Sequence, residues 1–383
     1  MLNLERLLSP RILHFAEKQV FWDCATVSAC ETFREGLPQP LDTGSNDRYW
    51  RWKLQDSSDL NIFLPAIVDQ SLEQFWRNAI RTYSLCQLTH SSDKLIAIWG
   101  IVRFLIGALR ERYAVGLWER NLEEQLAWHV VDCQSSTRLV ELDAPSWSWA
   151  TVHGEITLPD RLAAVRDYHV VDHYGQNITF DLHGSTRGQN DGPRTWAEQL
   201  RQYETRVKEI DEYRQAKVLL PPPMLSEQEI DMSPIPGLRS SSIPIMGFVG
   251  RMYLRKAPQG QNWILESLRT HEAIQAFPDI NPNHDSKGST LFLILAFNFV
   301  YPEIQRGQRT KASADKCSGI GLLIDFRGGE RESSGGHFVR TGAFHFNGVD
   351  FSHVITPYLI KNPAELGIDT NYDPERGFKI WLD

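Results

Sequence analysis

Three side chains near the middle of the chain have the residue types and the spacing to bind a metal ion. Asp167, His169 and His173 would share one face of a β-strand, because successive side chains on a strand point to opposite faces. Zinc sites commonly have four ligands and tighter paired spacing, and no further ligand that converges on this face is identified. We therefore predict a half-exposed strand here and no metal site.

Two glycine-rich stretches are candidates for phosphate binding. GSTRGQNDG (184–192) and GGERESSGG (328–336) both lack the Lys-Ser/Thr ending of a phosphate-binding loop. Neither stretch follows a strand and opens a helix, as a dinucleotide-binding turn must. The patterns are typical of hairpin turns, and we predict no cofactor site in either stretch.

Nucleophilic catalysis has no clear motif in this chain. Cys24 with Cys30, or His337 with His345, could form a reactive pair, but no G-x-S-x-G sequence marks a strained nucleophile. With twelve histidines in the chain, such pairs arise readily by chance. We predict buried thiols and hydrogen-bonded strand histidines, and we assign no catalytic, cofactor-binding or metal-binding residue.

Composition and charge indicate a globular protein of more than one domain. The chain has 383 residues, of which 42% are hydrophobic and 23% charged. Its net charge of -8 provides no basic field that would attract nucleic acid or an anionic membrane, so neither is expected as a partner. The two most apolar stretches predict core elements and no membrane span, because 95–109 is interrupted by Arg103 and 291–300 is too short.

The cysteines indicate a reducing compartment. Five cysteines are widely scattered without a C-x-x-C pair, which favours reduced thiols over a disulfide framework. The N-terminus shows no basic region followed by an apolar stretch and a cleavage site, so no secretory signal is indicated. The expected location is therefore the cytosol or the nucleus.

The first part of the chain predicts a helix end, a hairpin and then a helical block. Leu4, Leu7 and Leu8 recur at helical spacing up to Ser9-Pro10, and the apolar residues between Ile12 and Trp22 predict two strands around a polar turn. We expect an exposed apolar cluster on this hairpin. The helical block comprises AIVDQSLEQFWRNAIRTYSL, SSDKLIAIWGIVRFLIGAL with Ser92 or Asp93 as N-cap, and NLEEQLAWHVV.

After the helical block the pattern becomes that of strands. Trp147 and Trp149 in APSWSWATVHG are two residues apart, so on a strand both would face one way, where they could stack on a ligand or pack against the helical layer. Packing is favoured because Trp has a large apolar area. A hairpin turning near Gly175 is predicted, and further strands are predicted in IPIMGFVGRMYLRK, NWILE, STLFLILAFNF, GIGLLIDFRG and HFVRTGAFHF.

The predicted fold class is α+β, with a helical layer followed by a mostly antiparallel β-rich C-terminal region. The helical layer lies near residues 60–132 and the sheet runs from about 143 to 383. The stretch 194–244 is charged nearly all round and then rich in proline, which predicts a solvated helix and loop outside the core.

Several segments of the sequence resemble proteins of the fungal heterokaryon-incompatibility (HET) domain family. ERLLSPRILHF is similar to the closing motif of the HET domain, Trp-Thr-Leu-Gln-Glu-Arg-Leu-Leu-Ser-Pro-Arg, while VFWDC, SSDKLIAIWGI, YAVGLWERNLEEQLAWHVV and APSWSWATVHG resemble segments that follow it. Residues 1–4 do not match the motif, and the larger N-terminal part of that domain is not found. The residues that carry the resemblance, in a structural role, are Glu5, Arg6, Leu7, Leu8, Ser9, Pro10, Arg11, Phe15, Trp22, Pro145, Trp147 and Trp149.

The resemblance implies an organisation and a function. It implies a remnant of the HET domain at 1–30, a mainly helical region at 31–160 and a β-rich region at 161–383. It also implies a truncated cytoplasmic protein of fungal nonself recognition and programmed cell death, which acts through protein partners rather than by catalysis. The alternatives are a hydrolase or NAD-consuming enzyme with its site between the helical and sheet regions, and an inert remnant of the family.

Overall fold

The fold is known from a computed structural model. It describes residues 9, 11–24, 27–38, 41, 66–86, 88, 90–109, 113–118, 122–142, 144–159, 242–257, 262–266, 273–282, 289–299, 316–328, 336–368, 371–374 and 376–383. The described residues up to Tyr113 belong to one compact unit, and those from Ala114 onward belong to a second. The predicted boundaries at residues 31 and 161 stay a prediction.

The predicted hairpin is present in the first unit. Strands β1 (Arg11–Phe15) and β2 (Val20–Cys24) pair antiparallel, and β3 (Ser28–Cys30) adds to β2. The register places Leu13 and Phe15 on the same face as Trp22, with Ile12 and Phe21 on the other face. The predicted single apolar cluster is therefore wrong in its arrangement: Phe15 is 81% exposed, whereas Ile12, Phe21 and Trp22 are half-buried.

Two long helices follow in the first unit, as predicted. Helix α1 (Ala66–Ser84) buries Phe75, Trp76, Ala79, Ile80 and Tyr83, which recur at helical spacing. A 3-10 turn at Ser91–Asp93 leads into helix α2 (Lys94–Leu109), whose apolar residues are largely buried. The hydroxyl of Tyr83 donates a hydrogen bond to the carbonyl of Lys94 at 2.6 Å, which joins the end of α1 to the start of α2.

The third predicted helix is much shorter than expected. After β4 (Tyr113–Ala114) and β5 (Leu117–Trp118), helix α3 covers only Leu122–Leu126, and His129–Val130 form strand β6 instead of continuing it. The chain up to residue 159 then forms short strands and turns, with β7 (Thr137–Arg138), β8 (Val152–His153) and β9 (Ile156–Thr157). β6 pairs with β9, and β7 pairs with β8. Strand therefore predominates over helix in the described residues.

The C-terminal region is antiparallel and β-rich, as predicted. The strands are β10 (Ile243–Gly247), β11 (Val249–Lys256), β12 (Trp263–Glu266), β13 (Ala273–Pro278), β14 (Ser289–Phe299), β15 (Lys316–Gly328), β16 (Gly336–Asp350) and β17 (Phe378–Leu382). Sequence patterns predicted most of these but missed β13 and β17. The predicted helix and loop at 194–244 end earlier than expected, since Ile243 and Pro244 lie in strand β10. Three predicted features lie outside the described residues: the rest of that stretch up to 241, the hairpin near Gly175 and the strand with Asp167.

Six of these strands close into a barrel. β11, β12, β13, β16, β15 and β14 pair antiparallel in that order, and β14 returns to β11. Phenylalanine rings fill the space over glycines of the neighbouring strand: a Cβ added at Gly321 would lie 2.3 Å from the ring of Phe344. Helix α4 (Phe351–Val354) contributes Val354 to the same buried cluster. The barrel is thus filled by side chains.

The edge of β16 changes neighbour along its length. Residues 336–338 pair in parallel with β17, whereas residues 342–345 pair with β13. Arg340 lies in the gap between the segments paired with β17 and with β13. There its backbone amide and carbonyl are hydrogen-bonded to side chains, and no described strand pairs with them on that edge. Side chains from residues 136–146 fill this gap.

Candidate functional site

The APSWSWA motif forms a turn and a 3-10 helix in the second unit. The amide of Ser148 donates to the carbonyl of Pro145 at 3.0 Å, and Trp149–Thr151 form the 3-10 helix. The Ser148 hydroxyl caps this helix by accepting from the amide of Ala150 at 3.2 Å. The predicted strand for Trp147 and Trp149 is therefore wrong, because a serine that caps a local helix competes with extended pairing.

Both tryptophans of the motif are fully buried. Trp147 and Trp149 are 0% exposed, so they cannot stack on a ligand, and their burial is confirmed, whereas packing against the helical layer stays a prediction. The indole of Trp149 donates to the carbonyl of Gly116 at 2.8 Å, and the indole of Trp128 donates to the carbonyl of Trp147 at 2.7 Å. The indole nitrogens of Trp149 and Trp128 are thus paired within the protein.

The turn between β4 and β5 is shaped to receive this motif. Val115 has φ 45 and Gly116 has φ 101, a left-handed turn that presents two adjacent carbonyls. The Val115 carbonyl accepts from the hydroxyl of Ser148 at 2.6 Å, beside the Trp149 bond to Gly116. A Cβ added at Gly116 would lie 2.5 Å from Nε1 of Trp149, so only glycine fits here.

A buried ion pair lies next to the motif. Arg340 and Asp279 both have fully buried side chains and are joined by a charge-assisted hydrogen bond. The guanidinium of Arg340 also donates to the carbonyls of Leu126 and Trp128, and its Cζ lies 3.4 Å from the centroid of the Trp128 ring. Burial lowers the pKa of Arg340 to about 10, and the charge of Asp279 acts in the opposite direction, so Arg340 is charged at neutral pH.

The second oxygen of Asp279 is bound by Arg138. Nη2 of Arg138 lies 3.1 Å from Oδ2 of Asp279 and donates to the carbonyl of Arg340 at 3.0 Å. The hydroxyl of Ser136 donates to the backbone carbonyl of Asp279 at 2.5 Å. Asp279 is thus held between two arginines, and the cluster has a structural role in closing the gap at β16.

Ser146 connects the motif to the end of β17. Its hydroxyl accepts from the amide of Arg340 at 2.8 Å and donates to the carbonyl of Asp383. The carboxylate of Asp383 lies 2.9 Å from Nδ1 of His337, and the hydroxyl of Ser242 donates to it at 2.5 Å. An aspartate that orients an imidazole is a component of general-base sites. Ser242 donates to the carboxylate rather than to the imidazole, so this contact does not activate it as a nucleophile.

A third group consists of three aromatic rings on the barrel wall. The ring of His129 lies 4.1 Å from that of Phe277 and 5.1 Å from that of His345, and the last two rings are 4.8 Å apart, all measured between centroids. Burial lowers the pKa of His129 to about 3, with contributions from His345 and Arg340, while the carbonyl of Ala127 acts in the opposite direction.

The remaining features that the sequence singled out are the candidate metal ligands, the thiols and the apolar helices. In the part of the chain that the structure describes, no group of three or more His, Cys, Asp and Glu side chains is arranged to hold a metal ion. All five cysteines are described and are free thiols, with Cys30 and Cys317 buried. None of the described helices has the length and apolar character needed to cross a membrane.

The residues that carry the family resemblance and that the structure describes belong to two different units. Ser9 is half-buried, Arg11 and Phe15 are exposed on β1 and Trp22 is half-buried on β2, all in the first unit. Pro145, Trp147 and Trp149 are buried in the second unit. Those that lie outside the described residues are Glu5, Arg6, Leu7, Leu8 and Pro10.

Sequence reasoning missed the Arg340 cluster, although a signal was present. In GHFVRTGAFHF every second residue is buried, and the side chain of Arg340 lies on the same face of the strand as those of Phe338 and Phe344. A charge in phase with apolar residues indicates a buried, paired charge. Asp279 follows β13, which was not predicted, so its role had no sequence signal. Neither a family model, nor a curated protein, nor a solved structure gives a significant match to this chain.

Proposed function

We propose that this chain is a non-enzymatic signalling and interaction protein of the heterokaryon-incompatibility type. It acts in the cytoplasm, through protein partners, in fungal nonself recognition and programmed cell death. The proposal follows from the resemblance of ERLLSPRILHF and APSWSWATVHG to segments of that family. The architecture that belongs to it is a helical layer near residues 60–132 followed by the β-rich region.

The observation that carries the proposal is the environment of the APSWSWA motif. Trp147, Ser148 and Trp149 are fully buried, and the last two donate hydrogen bonds to a turn whose glycine cannot be replaced without a clash. A motif with such specific partners has strict packing requirements. The resemblance therefore rests on residues that a shared fold would need.

The charged groups near the motif support a role in binding over one in catalysis. Ion pairs join Asp279 to Arg340 and to Arg138, and the hydroxyl of Ser242 donates to Asp383. A catalytic side chain must reach a reacting atom of the substrate through one of its polar atoms. In these side chains the polar atoms named above are already hydrogen-bonded within the protein. This supports the signalling function over a hydrolase or NAD-consuming activity.

Hyphal fusion provides the test of the signalling function. The full chain is expressed in one strain of a filamentous fungus, which is then fused with a strain that lacks it, and death of fusion cells is scored by uptake of a vital dye. We expect more dye-positive fusion cells with the chain and with its surface variant Arg255→Ala, and background levels with Arg340→Ala, which disrupts the second unit. Equal dye uptake with and without the chain would contradict the proposal.

A turnover assay tests the enzymatic alternative. The purified chain is incubated with NAD and with ester, peptide and phosphoester substrates, and products are counted per protein molecule. The proposal predicts fewer than one product per molecule. Multiple turnovers that are lost in His337→Ala, with unchanged folding by circular dichroism, would replace it with an enzyme that uses the His337 and Asp383 pair.

A further inference from the structure

Two histidines from distant parts of the second unit meet at a single aromatic contact. His129 lies on β6, whereas His345 lies on β16 and Phe277 on β13. The rings of His129 and His345 meet edge to face, with an interplanar angle of 84°, and Phe277 contacts both. The contact therefore joins the β6 and β9 ribbon to two strands of the barrel.

Among the residues that the structure describes, no carboxylate acts on the imidazole of His129, whereas the guanidinium of Arg340 does. From β16, His345 and the guanidinium of Arg340 both disfavour a proton on His129. From the barrel side, the carboxylate of Asp279 is bound to Arg340 and to Arg138. From β9, Thr157 lies opposite His129 and has no charge. A proton on the half-buried His129 would therefore lie near Arg340 with no carboxylate of the described residues as its counter-ion.

We propose that the His129, Phe277 and His345 cluster is an acid-sensitive lock, which holds the β6 and β9 ribbon on the barrel while the imidazole of His129 is neutral and releases it when that imidazole is protonated. In the neutral state the three rings pack as apolar surfaces in aromatic contact. A positive charge on His129 is repelled by Arg340, so the ring leaves the cluster for solvent.

The sign of the pH dependence follows from the direction of the shift. The folded-state pKa of His129, about 3, lies below its ordinary value of 6.5. Above pH 6.5 the imidazole is neutral in both the folded and the released state, so the lock has its full strength. As the pH falls from 6.5 towards 3, the released state takes up a proton that the folded state does not, and release is favoured about tenfold for each pH unit.

Hydrogen exchange of the full chain measures the lock directly. Protection factors are compared at pH 7.5 and 4.5 for the amide of Val131, which donates to the carbonyl of Glu155 across the ribbon, and for amides of β15 in the barrel. We expect the ribbon to lose protection by about 100-fold at pH 4.5, two units below the ordinary histidine pKa. The variant His129→Phe keeps an aromatic ring and removes the titration, so its ribbon should keep its protection. The matched variant His153→Phe, at an exposed histidine on β8, should behave like the unaltered chain.

Two results would overturn the lock. One is an equal loss of ribbon protection in His129→Phe and in the unaltered chain; the other is a simultaneous loss in the ribbon and in β15, which would mean global unfolding. If His129→Phe does not fold, the imidazole signal of His129 is titrated by NMR in the unaltered chain. A midpoint below 5 supports the lock, and a midpoint near 6.5 contradicts it.

Discussion

At the scale of single residues, Arg340 shows how a buried charge can organise the packing around it. Its guanidinium binds Asp279 and two backbone carbonyls, while its own amide and carbonyl are satisfied by Ser146 and Arg138. Removing one partner of such a pair leaves an uncompensated buried charge, which is far more costly than the net benefit of the intact pair.

We therefore expect Arg340→Ala and Asp279→Asn each to lower the free energy of unfolding by about 3–5 kcal/mol. Chemical denaturation of the full chain measures this loss. The control is Arg255→Ala, which breaks a solvent-exposed pair with Glu266 and should cost less than ~1 kcal/mol. Replacing both members, as in Arg340→Met with Asp279→Leu, should restore most of the loss. Equal effects of the Arg340 and Arg255 variants would refute this account.

A second prediction concerns the glycine that faces Trp149. Gly116→Ala requires φ 101 from a residue with a side chain and places a Cβ 2.5 Å from the indole, so we expect a loss of ~3 kcal/mol or more. Gly348 is the matched control, because it also has a positive φ, 64, but has no atom within 4 Å of an added Cβ. Gly348→Ala should cost only about 1–2 kcal/mol. Thermal or denaturant midpoints compare the two, and similar shifts would show that the contact with Trp149 is unimportant.

At the scale of secondary-structure elements, helix α2 begins with a charge in an unfavourable place. Lys94 is only 5% exposed and lies at the N-terminus of the helix, where the helix dipole disfavours a cation. Burial lowers the pKa of Lys94 to about 7 from its ordinary 10.5. Between pH 7 and 10.5 the unfolded chain binds a proton that the folded chain has lost, so stability should rise as the pH rises through this range.

The variant Lys94→Met tests this interpretation, because it keeps an unbranched stem and removes the charge. We expect it to stabilise the chain at pH 7 by up to ~4 kcal/mol, since one pKa unit corresponds to about 1.4 kcal/mol. The advantage should shrink steadily and disappear near pH 10.5. Urea denaturation at pH 7, 8.5 and 10 measures the difference, and an advantage that does not change with pH would show that packing and not titration is responsible.

At the scale of the whole molecule, the described residues fall into two compact units that meet in sequence at Tyr113 and Ala114. Arg340 and Gly116 belong to the second unit, and Lys94 belongs to the first. Substitutions in separate units that share no partner have additive effects on stability. The two units should therefore respond independently to these substitutions.

Hydrogen exchange can resolve the two responses. Arg340→Ala should accelerate exchange of barrel amides and leave the amides of α1 and α2 unchanged, whereas Lys94→Met should slow exchange in α1 and α2 only. The double variant should show both changes, each of its original size. An effect of Arg340→Ala on α1 would mean that the two units unfold as one.

The amino-acid sequence by itself determined the local elements of this protein. Helices α1 and α2, the first hairpin and the long barrel strands follow from apolar periodicity, because each buries one face along its own length. Burial of Trp147 and Trp149 also follows from their large apolar area.

Only the tertiary structure decided how the strands close into a barrel and which charged side chains become buried. The short turns between residues 114 and 159, the strands β13 and β17 and the partners of Arg340 depend on contacts such as Arg340 with Leu126, which are 214 positions apart in the chain. Local patterns contain no information about such partners. A serine that caps a 3-10 turn and an arginine that finds its aspartate across the sheet acquire these roles only when the distant segments meet.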